Sequence, residues 1–134
     1  MDIEAGLCAE KEILVEDRFT ASHLGSGGVR VYATPMMVLH MEETSHRAVA
    51  ARLDSDSSTV GASISVQHLA PTPVGMKIRI RSELVKVEGR MLTFKVEAWD
   101  EVEKVGEAEH VRAIINLTRF GEKLDKKRLA ARLD

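Results

Sequence analysis

Cysteine is nearly absent from this sequence, and so are long apolar runs. Cys8 is the only cysteine among 134 residues, which excludes a disulfide framework within the chain and a zinc site built from several cysteines. No apolar run approaches the roughly 20 residues that span a bilayer. The N-terminal Met-Asp-Ile-Glu is acidic, where a secretory signal peptide is basic. We therefore expect a cytoplasmic protein that has no membrane segment.

A strong charge of either sign is also lacking. The sequence has 19 basic and 21 acidic residues and a net charge of −2, which is too small to attract nucleic acid or an anionic membrane over a distance. The most basic stretch, from Lys123 to Leu133, interleaves its cations with leucines. That pattern is typical of a short solvated helix with one apolar edge, so we expect no nucleic-acid partner.

The remaining composition is that of a globular domain. Apolar residues make up 44% of the chain and charged residues 30%. A chain of this length suffices for one core but not comfortably for two. We expect a single domain over residues 1–134.

One long helix is predicted from about Pro35 to Leu53. Thr34 is a suitable N-cap, and Pro35 suits the first helical position. The first two turns, Met-Met-Val-Leu-His-Met, have almost no polar face. We therefore expect this helix to be covered on nearly all sides.

Near Thr59 the apolar period changes from helical to alternating. Strands are predicted at residues 11–19, 59–68, 76–84, 91–99 and 105–120, with a tight turn at 88–90. One face of the second strand collects five residues, Val60, Ala62, Ile64, Val66 and His68. A long apolar helix followed by strands with one polar face predicts an α+β fold, in which one antiparallel sheet wraps around a central helix.

Two polar residues do not fit this apolar pattern. Glu42 lies in the middle of the predicted helix, and burying an unpaired carboxylate costs several kcal/mol. His68 continues the strand face that should point at the helix. We expect the two side chains to meet at the edge of the core, where each would shift the pKa of the other. The alternative is a hydrogen-bonded structural histidine and a glutamate that reaches solvent or a partner subunit.

Few other motifs point to chemistry. His40 and His46 are six residues apart, which is not the i, i+4 spacing of a helical metal pair, so no metal is predicted. The glycine-rich loop at residues 25–28, Gly-Ser-Gly-Gly, matches neither a dinucleotide-binding motif nor a P-loop. We interpret this loop as a hinge or flap.

Three segments carry a family resemblance in their order and spacing: VYATPMMVLHME, TVGASISVQHLAPTPVGM and LVKVEGRMLTFKVEAWDEVEKVGEAEHVRAII. They resemble the fluoroacetyl-CoA thioesterase-like family of hot-dog-fold proteins over roughly residues 10–120. The resemblance implies a hot-dog fold and hydrolysis of an acyl-CoA thioester. No cofactor is predicted.

The resemblance also implies site residues. The family's catalytic threonine, glutamate and histidine fall on Thr34, Glu42 and His68, and its substrate-contacting glycine and arginine fall on Gly61 and Arg112. A thioester carbonyl needs a nucleophile or activated water, a proton acceptor and hydrogen-bond donors for the oxyanion. Whether Glu42, Thr34 or water attacks is left open. A helical Thr34 would lie about 12 Å from Glu42 along the axis, so we expect Thr34 in the preceding loop, folded towards the site.

The chain departs from the fluoroacetyl-CoA-selective members in one respect. Those members carry bulky aromatic residues before the helix, where this chain has the glycine-rich loop. We therefore expect a short acyl chain accepted with modest selectivity, in a pocket narrowed by Met36, Met37 and Met41.

The partners expected are acyl-CoA and a second copy of the chain. The CoA phosphates could be attracted by Arg112 or by outward cations of the third strand, Lys77, Arg79 and Arg81, although such a row is more often a solvated strand face. A homodimer is expected because one sheet around one helix leaves strand edges unpaired, and family members join two sheets edge to edge. The acyl-CoA site would then lie near the subunit interface.

Two other functions stay open: a non-catalytic acyl-CoA-binding module and a hot-dog hydratase or dehydratase, which also pairs a histidine with a carboxylate.

Overall fold

The computed structural model describes residues 2–132. These residues form five strands, β1 (Cys8–Leu14), β2 (Ser57–His68), β3 (Lys77–Glu88), β4 (Met91–Trp99) and β5 (Lys104–Asn116). They also form a 3₁₀ turn (Asp17–Phe19), a short helix α1 (Ala21–Leu24) and two longer helices, α2 (Thr34–Ala50) and α3 (Leu117–Ala130).

The five strands join one antiparallel sheet in the order β1-β3-β4-β5-β2. Helix α2 packs against all five strands. The predicted α+β architecture, with one antiparallel sheet around a central helix, is therefore confirmed. Strands β1 and β2 form the two edges of the sheet.

Alternation in the central strands places their apolar side chains against α2. The inward residues of β3 and β4 are fully buried, among them Ile78, Ile80, Leu92, Phe94, Val96 and Ala98. The predicted turn after β3 is confirmed, and Gly89 adopts a φ of +60° there, which favours glycine. The strand period of two thus fixes the core of the sheet.

Helix α2 differs from its prediction at both ends and in its surroundings. The carbonyl of Ala33 accepts the Met37 amide, which makes Ala33 the N-cap and Thr34 the first helical residue. Alanine has no polar side chain, so this N-cap lacks a side-chain hydrogen bond. The predictions that Thr34 caps the helix, or lies in the loop before it, are wrong. The helix ends at Ala50 rather than Leu53. Leu39 is 45% exposed, so α2 is covered on the side that faces the sheet and not all round.

A bulge in β2 changes which residues face the helix. The pairing with β5 slips between Gly61 and Ser63, and this extra residue reverses the alternation in the first half of the strand. Thr59 and Gly61 pair with the inward residues Ile114 and Arg112. The prediction that Val60 and Ala62 share the inward face is therefore wrong, whereas Ile64, Val66 and His68 do follow it beyond the bulge.

The bounds of the first strand and of the last strand and helix also differ from their predictions. Strand β1 begins three residues and ends five residues earlier than predicted, since the 3₁₀ turn occupies the end of the predicted range. Strand β5 ends at Asn116, whose side chain caps α3 by accepting the Arg119 amide. The basic helix predicted over 123–133 is the second half of α3, and Leu133 lies outside the described residues. No helix among residues 2–132 is long and apolar enough to cross a bilayer.

Candidate active site

Thr34 and His68 meet where the start of α2 faces the end of β2. Thr34 Oγ1 and His68 Nδ1 form a hydrogen bond of 2.7 Å. His68 Nε2 is buried and has no hydrogen-bond partner among the described residues. Burial lowers the pKa of His68, and the backbone of Ala70 opposes this in part. A neutral imidazole next to a threonine hydroxyl is able to take a proton from it.

A cleft of about 340 Å³ opens beside this pair. Thr34 and His68 both line it, and Ser26 of the glycine-rich loop lies at its wall. The other lining residues are mostly small or aliphatic: Ala21, Val31, Tyr32, Leu69, Ala70 and Pro71. Met37 and Met41 are fully buried in the core instead, so the prediction that they line the acyl pocket is wrong.

Glu42 belongs to a second group of polar residues. Its Oε2 lies 4.0 Å from Arg112 Nη1, and its side chain is 38% exposed. A Cβ atom built on Gly61 would lie only 2.9 Å from the same Oε2. Glu42 is therefore at the edge of the core rather than inside it, against the backbone of Gly61.

Arg112 is held by a buried network that the sequence reasoning missed. Its Nε donates to Thr59 Oγ1 at 2.9 Å, and its Nη2 donates to the Thr59 carbonyl at 3.0 Å. Its Nη1 donates to His110 Nε2 at 3.1 Å, so His110 Nδ1 carries the proton donated to the Ser63 carbonyl at 2.8 Å. His46 Nδ1 lies 2.7 Å from Thr59 Oγ1. The network ties β5 to both sides of the bulge in β2, and it fixes Gly61 beside Glu42.

Strand alternation would have been sufficient to find part of this network. His110 and Arg112 lie at i and i+2 on β5 between the inward residues Ala108 and Ile114. Two ionisable residues on a core-facing strand face are an unusual pattern. Thr59 carried no comparable signal, because the bulge that turns it inward is a property of strand pairing.

The pair of Thr34 and His68 lies apart from the group of Glu42, Gly61 and Arg112 within one chain. Gly61 and His68 are separated by seven residues of strand, roughly 20 Å, and Thr34 and Glu42 by about two turns of helix, about 12 Å. The structure brings Thr34 to His68, and Glu42 to Gly61 and Arg112. The prediction that Glu42 and His68 meet within the chain is not supported by any contact between them.

Replacing Gly61 with alanine tests the close approach to Glu42. The new Cβ displaces a flexible carboxylate rather than backbone, so we expect little loss of stability. Because the family resemblance assigns Glu42 to catalysis, we expect catalytic efficiency to fall about 10- to 100-fold, since a misplaced reacting group costs rate even when the fold is intact. Hydrolysis kinetics and thermal denaturation measure the two effects.

Gly27→Ala is the matched control for this substitution. A Cβ there meets only Ala21 Cβ, at an ordinary 3.7 Å, so activity should be retained. A Gly61→Ala variant that is unfolded, or as active as the wild type, would contradict the prediction.

Tyr32 and His40 form a buried pair beside His68. Tyr32 Oη and His40 Nδ1 are 2.5 Å apart, and the Tyr32 ring lies edge-on to the His68 ring at 6.5 Å. Burial raises the pKa of Tyr32 well above its usual value, so the hydroxyl keeps its proton and donates it to Nδ1. Burial also lowers the pKa of His40 to about 4. The pair therefore gives His68 a rigid, uncharged support.

Stability should fall when the pH drops from 7 to 5. Below pH 6.5 the unfolded chain binds a proton at His40, whereas the folded chain does not until about pH 4, so protonation favours unfolding. Through His40, the free energy of unfolding should fall by about 2 kcal/mol between pH 7 and pH 5. Urea unfolding at both pH values measures it.

His40→Asn is the informative variant, since its amide oxygen can still accept from Tyr32. Between pH 7 and pH 5 the free energy of unfolding of this variant should fall by about 2 kcal/mol less than that of the wild type. His23→Asn, at an exposed position, should have the same pH dependence as the wild type. Equal pH dependence in the wild type and His40→Asn would show that the prediction is wrong.

Known proteins resemble this chain in both sequence and structure. Residues 15–118 match the family described as fluoroacetyl-CoA-specific thioesterase. A fluoroacetyl-CoA thioesterase from Streptantibioticus cattleyicolor is 40% identical over 97 residues, which cover 72% of this chain and 70% of that protein.

Two solved structures show the extent of the structural similarity. A mutant of the fluoroacetyl-CoA-specific thioesterase FlK, in complex with fluoroacetate and CoA, is 34% identical and has a TM-score of 0.83, covering 88% of this chain and 99% of its own. A hot-dog-like protein from Thermanaerovibrio acidaminovorans has a TM-score of 0.86 at 16% identity, covering 92% of this chain and 91% of its own. The second similarity concerns the fold alone and agrees with the predicted hot-dog architecture.

Proposed function

The chain belongs to the fluoroacetyl-CoA-specific thioesterase family, and from this premise we propose that it hydrolyses a short-chain acyl-CoA to the free acid and CoA. It is an acyl-CoA thioesterase, and its proposed catalytic residues are Thr34, Glu42 and His68. Gly61 and Arg112 are the proposed substrate-side residues. The observation that carries this assignment is the 2.7 Å hydrogen bond between the Thr34 hydroxyl and His68, at the mouth of a cleft.

His68 is the general base of the proposed reaction. Its neutral imidazole takes a proton from the Thr34 hydroxyl, or from a water molecule that this hydroxyl holds, and the resulting nucleophile attacks the thioester carbonyl. The tetrahedral oxyanion collapses, the carbon–sulfur bond breaks, and the CoA thiolate leaves with the proton that His68 returns. If Thr34 attacks, water then hydrolyses the acyl-threonine ester in a second step.

The proposed dimer explains why the two groups are separate in one chain. Strand β2 is an edge strand with unpaired backbone groups. Antiparallel pairing of two copies of β2 about a two-fold axis between Ile64 and Ser65 would bring Gly61 close to the partner subunit's His68. Glu42 adjoins Gly61, so each active site would combine Thr34 and His68 of one protomer with Glu42 of the other.

This pairing also gives Glu42 a partner. Its side chain is 38% exposed, and Arg112 Nη1, 4.0 Å away, is its counter-charge. In the dimer the Glu42 carboxylate would lie beside the His68 ring of the other protomer, where a carboxylate orients the imidazole and stabilises its charged form.

The described residues form one sheet around one helix, which supports the proposal of a single domain over residues 1–134. Light scattering at micromolar concentration tests the oligomeric state. A dimer supports the composite site, and a monomer that is fully active would contradict it.

A short acyl chain fits the cleft at Thr34 and His68. The walls are mostly small or aliphatic side chains, and the glycine-rich loop provides no aromatic ring to close over a two-carbon acyl group. Each methylene in such a pocket is worth about 1 to 3 kcal/mol. Neighbouring chain lengths should therefore differ by tens to a few hundredfold in kcat/KM.

The decisive experiment measures free-thiol release from acetyl-, propionyl-, butyryl-, hexanoyl-, palmitoyl- and fluoroacetyl-CoA. Preference for a short chain supports the proposal, and preference for palmitoyl-CoA contradicts it. A ratio of roughly 10⁴ or more for fluoroacetyl- over acetyl-CoA would exceed what simple packing provides and would contradict the modest selectivity. A binding assay and an enoyl-CoA hydration assay on the same protein separate the thioesterase from a binding module and from a hydratase.

A further inference from the structure

A small cationic cleft lies between α3 and the turn that joins β3 to β4. Its volume is about 200 Å³. It is lined by three cations, one aromatic ring and two residues at the end of β5: Arg90, Arg119, Lys123, Phe120, Ile115 and Asn116. We call this group the α3 cleft.

Hydrogen bonds hold both walls of the α3 cleft in place. The Asn116 side chain accepts the Arg119 amide at 3.0 Å and donates to Asp56 at 3.1 Å. The Arg90 carbonyl accepts the Ile114 amide at 2.8 Å. The backbones that carry Arg90 and Arg119 are therefore fixed relative to each other, although α3 itself has no buried side chain.

The cations of the α3 cleft differ from the outward cations of β3. Within residues 2–132, none of Arg90, Arg119 and Lys123 forms an ion pair with a carboxylate, while the predicted phosphate-binding row on β3 is paired. In that row, Lys77 pairs with Glu12, Arg79 with Glu10, and Arg81 with Glu10 and Glu83. Arg112 is buried and bound to Thr59 and His110. The row on β3 is thus engaged by exposed carboxylates, and Arg112 by buried groups of β2 and β5.

The distance from the α3 cleft to the proposed reaction centre suits CoA. Asn116 follows Arg112 by four residues on β5, which is about 13 Å of strand, and Arg112 adjoins Gly61. The pantetheine arm of CoA is an amide chain comparable to four or five extended residues, or about 15 Å. In the proposed dimer a thioester at Thr34 and His68 of one protomer lies beside Gly61 of the other, so its nucleotide end would reach the α3 cleft of that second protomer.

We propose that the α3 cleft binds the nucleotide end of CoA. The three cations bind its phosphate groups, and Phe120 lies against the adenine ring, since aromatic side chains stack on bases and cations pair with phosphates. This inference rests on the proposed function for its substrate. It adds a site that is separate from the catalytic groups, so that its loss should weaken binding without slowing the chemical step.

The test compares two substrates that share one acyl group. Acyl-CoA carries the nucleotide, and the corresponding acyl-pantetheine does not. In Arg119→Ala and Lys123→Ala we expect KM for acyl-CoA to rise about 5- to 10-fold per charge, with kcat unchanged, because phosphate contacts act equally on the ground state and the transition state. KM for acyl-pantetheine should not change. Lys126→Ala, which removes a charge of α3 outside the cleft, should leave both substrates unaffected.

A binding measurement separates this inference from the proposed function. Calorimetry with adenosine 3′,5′-bisphosphate needs no turnover, and the wild type should bind it at least 10-fold more tightly than the Arg119→Ala, Lys123→Ala double variant. Bisphosphate binding without hydrolysis of any acyl-CoA would contradict the proposed thioesterase function and support a nucleotide site in the α3 cleft. Hydrolysis with equal KM in all variants would contradict that nucleotide site and support the thioesterase function. Inorganic phosphate bound as tightly as the bisphosphate would overturn the assignment to a nucleotide.

Discussion

Replacing His68 with alanine is expected to lower kcat by at least roughly 100-fold while the protein stays folded, which is the usual scale for the loss of a general acid or base. The side chain lies at the end of β2, beside a cleft, and is hydrogen-bonded to Thr34. Removal therefore deletes the proton acceptor without opening the core around α2. Steady-state kinetics, with circular dichroism as the check on folding, measures both.

Companion variants separate the roles of the other two proposed catalytic residues. Glu42→Gln keeps the shape of the side chain and removes its charge, and it should also lower kcat at least roughly 100-fold. Thr34→Ala should cost less if Thr34 only donates a hydrogen bond, and as much as His68→Ala if its hydroxyl is the nucleophile. Thr34→Ser retains the hydroxyl and should stay active. The exposed His23, replaced by alanine, is the control.

The wild-type pH profile gives a second measure of His68. Burial lowers the pKa of this imidazole, and the base works only when neutral. The Glu42 carboxylate of the proposed dimer opposes this shift because it stabilises the imidazolium, so the acidic limb of the activity profile should lie at lower pH in Glu42→Gln than in the wild type. Near-wild-type turnover in His68→Ala would assign this residue a structural role and contradict the mechanism.

Mixing two inactive variants is expected to restore activity. If each active site combines Glu42 of one protomer with Thr34 and His68 of the other, a heterodimer of Glu42→Gln and His68→Ala contains one site with both defects and one site with none. Random pairing makes half of all dimers mixed, so the mixture should regain about a quarter of wild-type activity. Each variant alone should have about 1% or less.

The complementation needs subunit exchange and one control pair. Co-expression with two different affinity tags allows the mixed dimer to be isolated directly, and that dimer should have about half of wild-type activity. A mixture of His68→Ala and Thr34→Ala should not recover, because both changes fall in the same half of the site and no intact site forms. Recovery in neither mixture would show that Glu42 and His68 act within one chain, or that one of them is not catalytic.

Much of the fold could be predicted because strand and helix patterns are local. Alternation in β3 and β4 identified their buried faces, since side chains on a strand point to opposite sides with a period of two. The apolar run after Pro35 identified α2. The helix boundaries were less accurate, because the Ala33 carbonyl and the Asn116 cap act through hydrogen bonds that no apolar pattern shows.

The site was predicted in part, and by resemblance more than by pattern. Gly61 and Arg112 were assigned to substrate, and the structure adds that Arg112 is anchored to Thr59 and His110. Without the bulge after Gly61, strand alternation would turn Thr59 and Gly61 away from Arg112. A slip in pairing depends on both strands at once, so neither strand sequence alone could predict it.

By itself, then, the sequence determined the α+β class, the inward faces of β3 and β4, and the residue types of a thioesterase site. Only the tertiary structure decided that His68 meets Thr34, that Glu42 adjoins Gly61 and Arg112, and that the two groups lie apart on one protomer. The physical reason is distance along rigid elements. Residues on one strand or helix are spaced by its fixed rise, so contacts among Thr34, Glu42, Gly61 and His68 depend on how α2 and β2 pack together, which is settled only when the whole sheet forms.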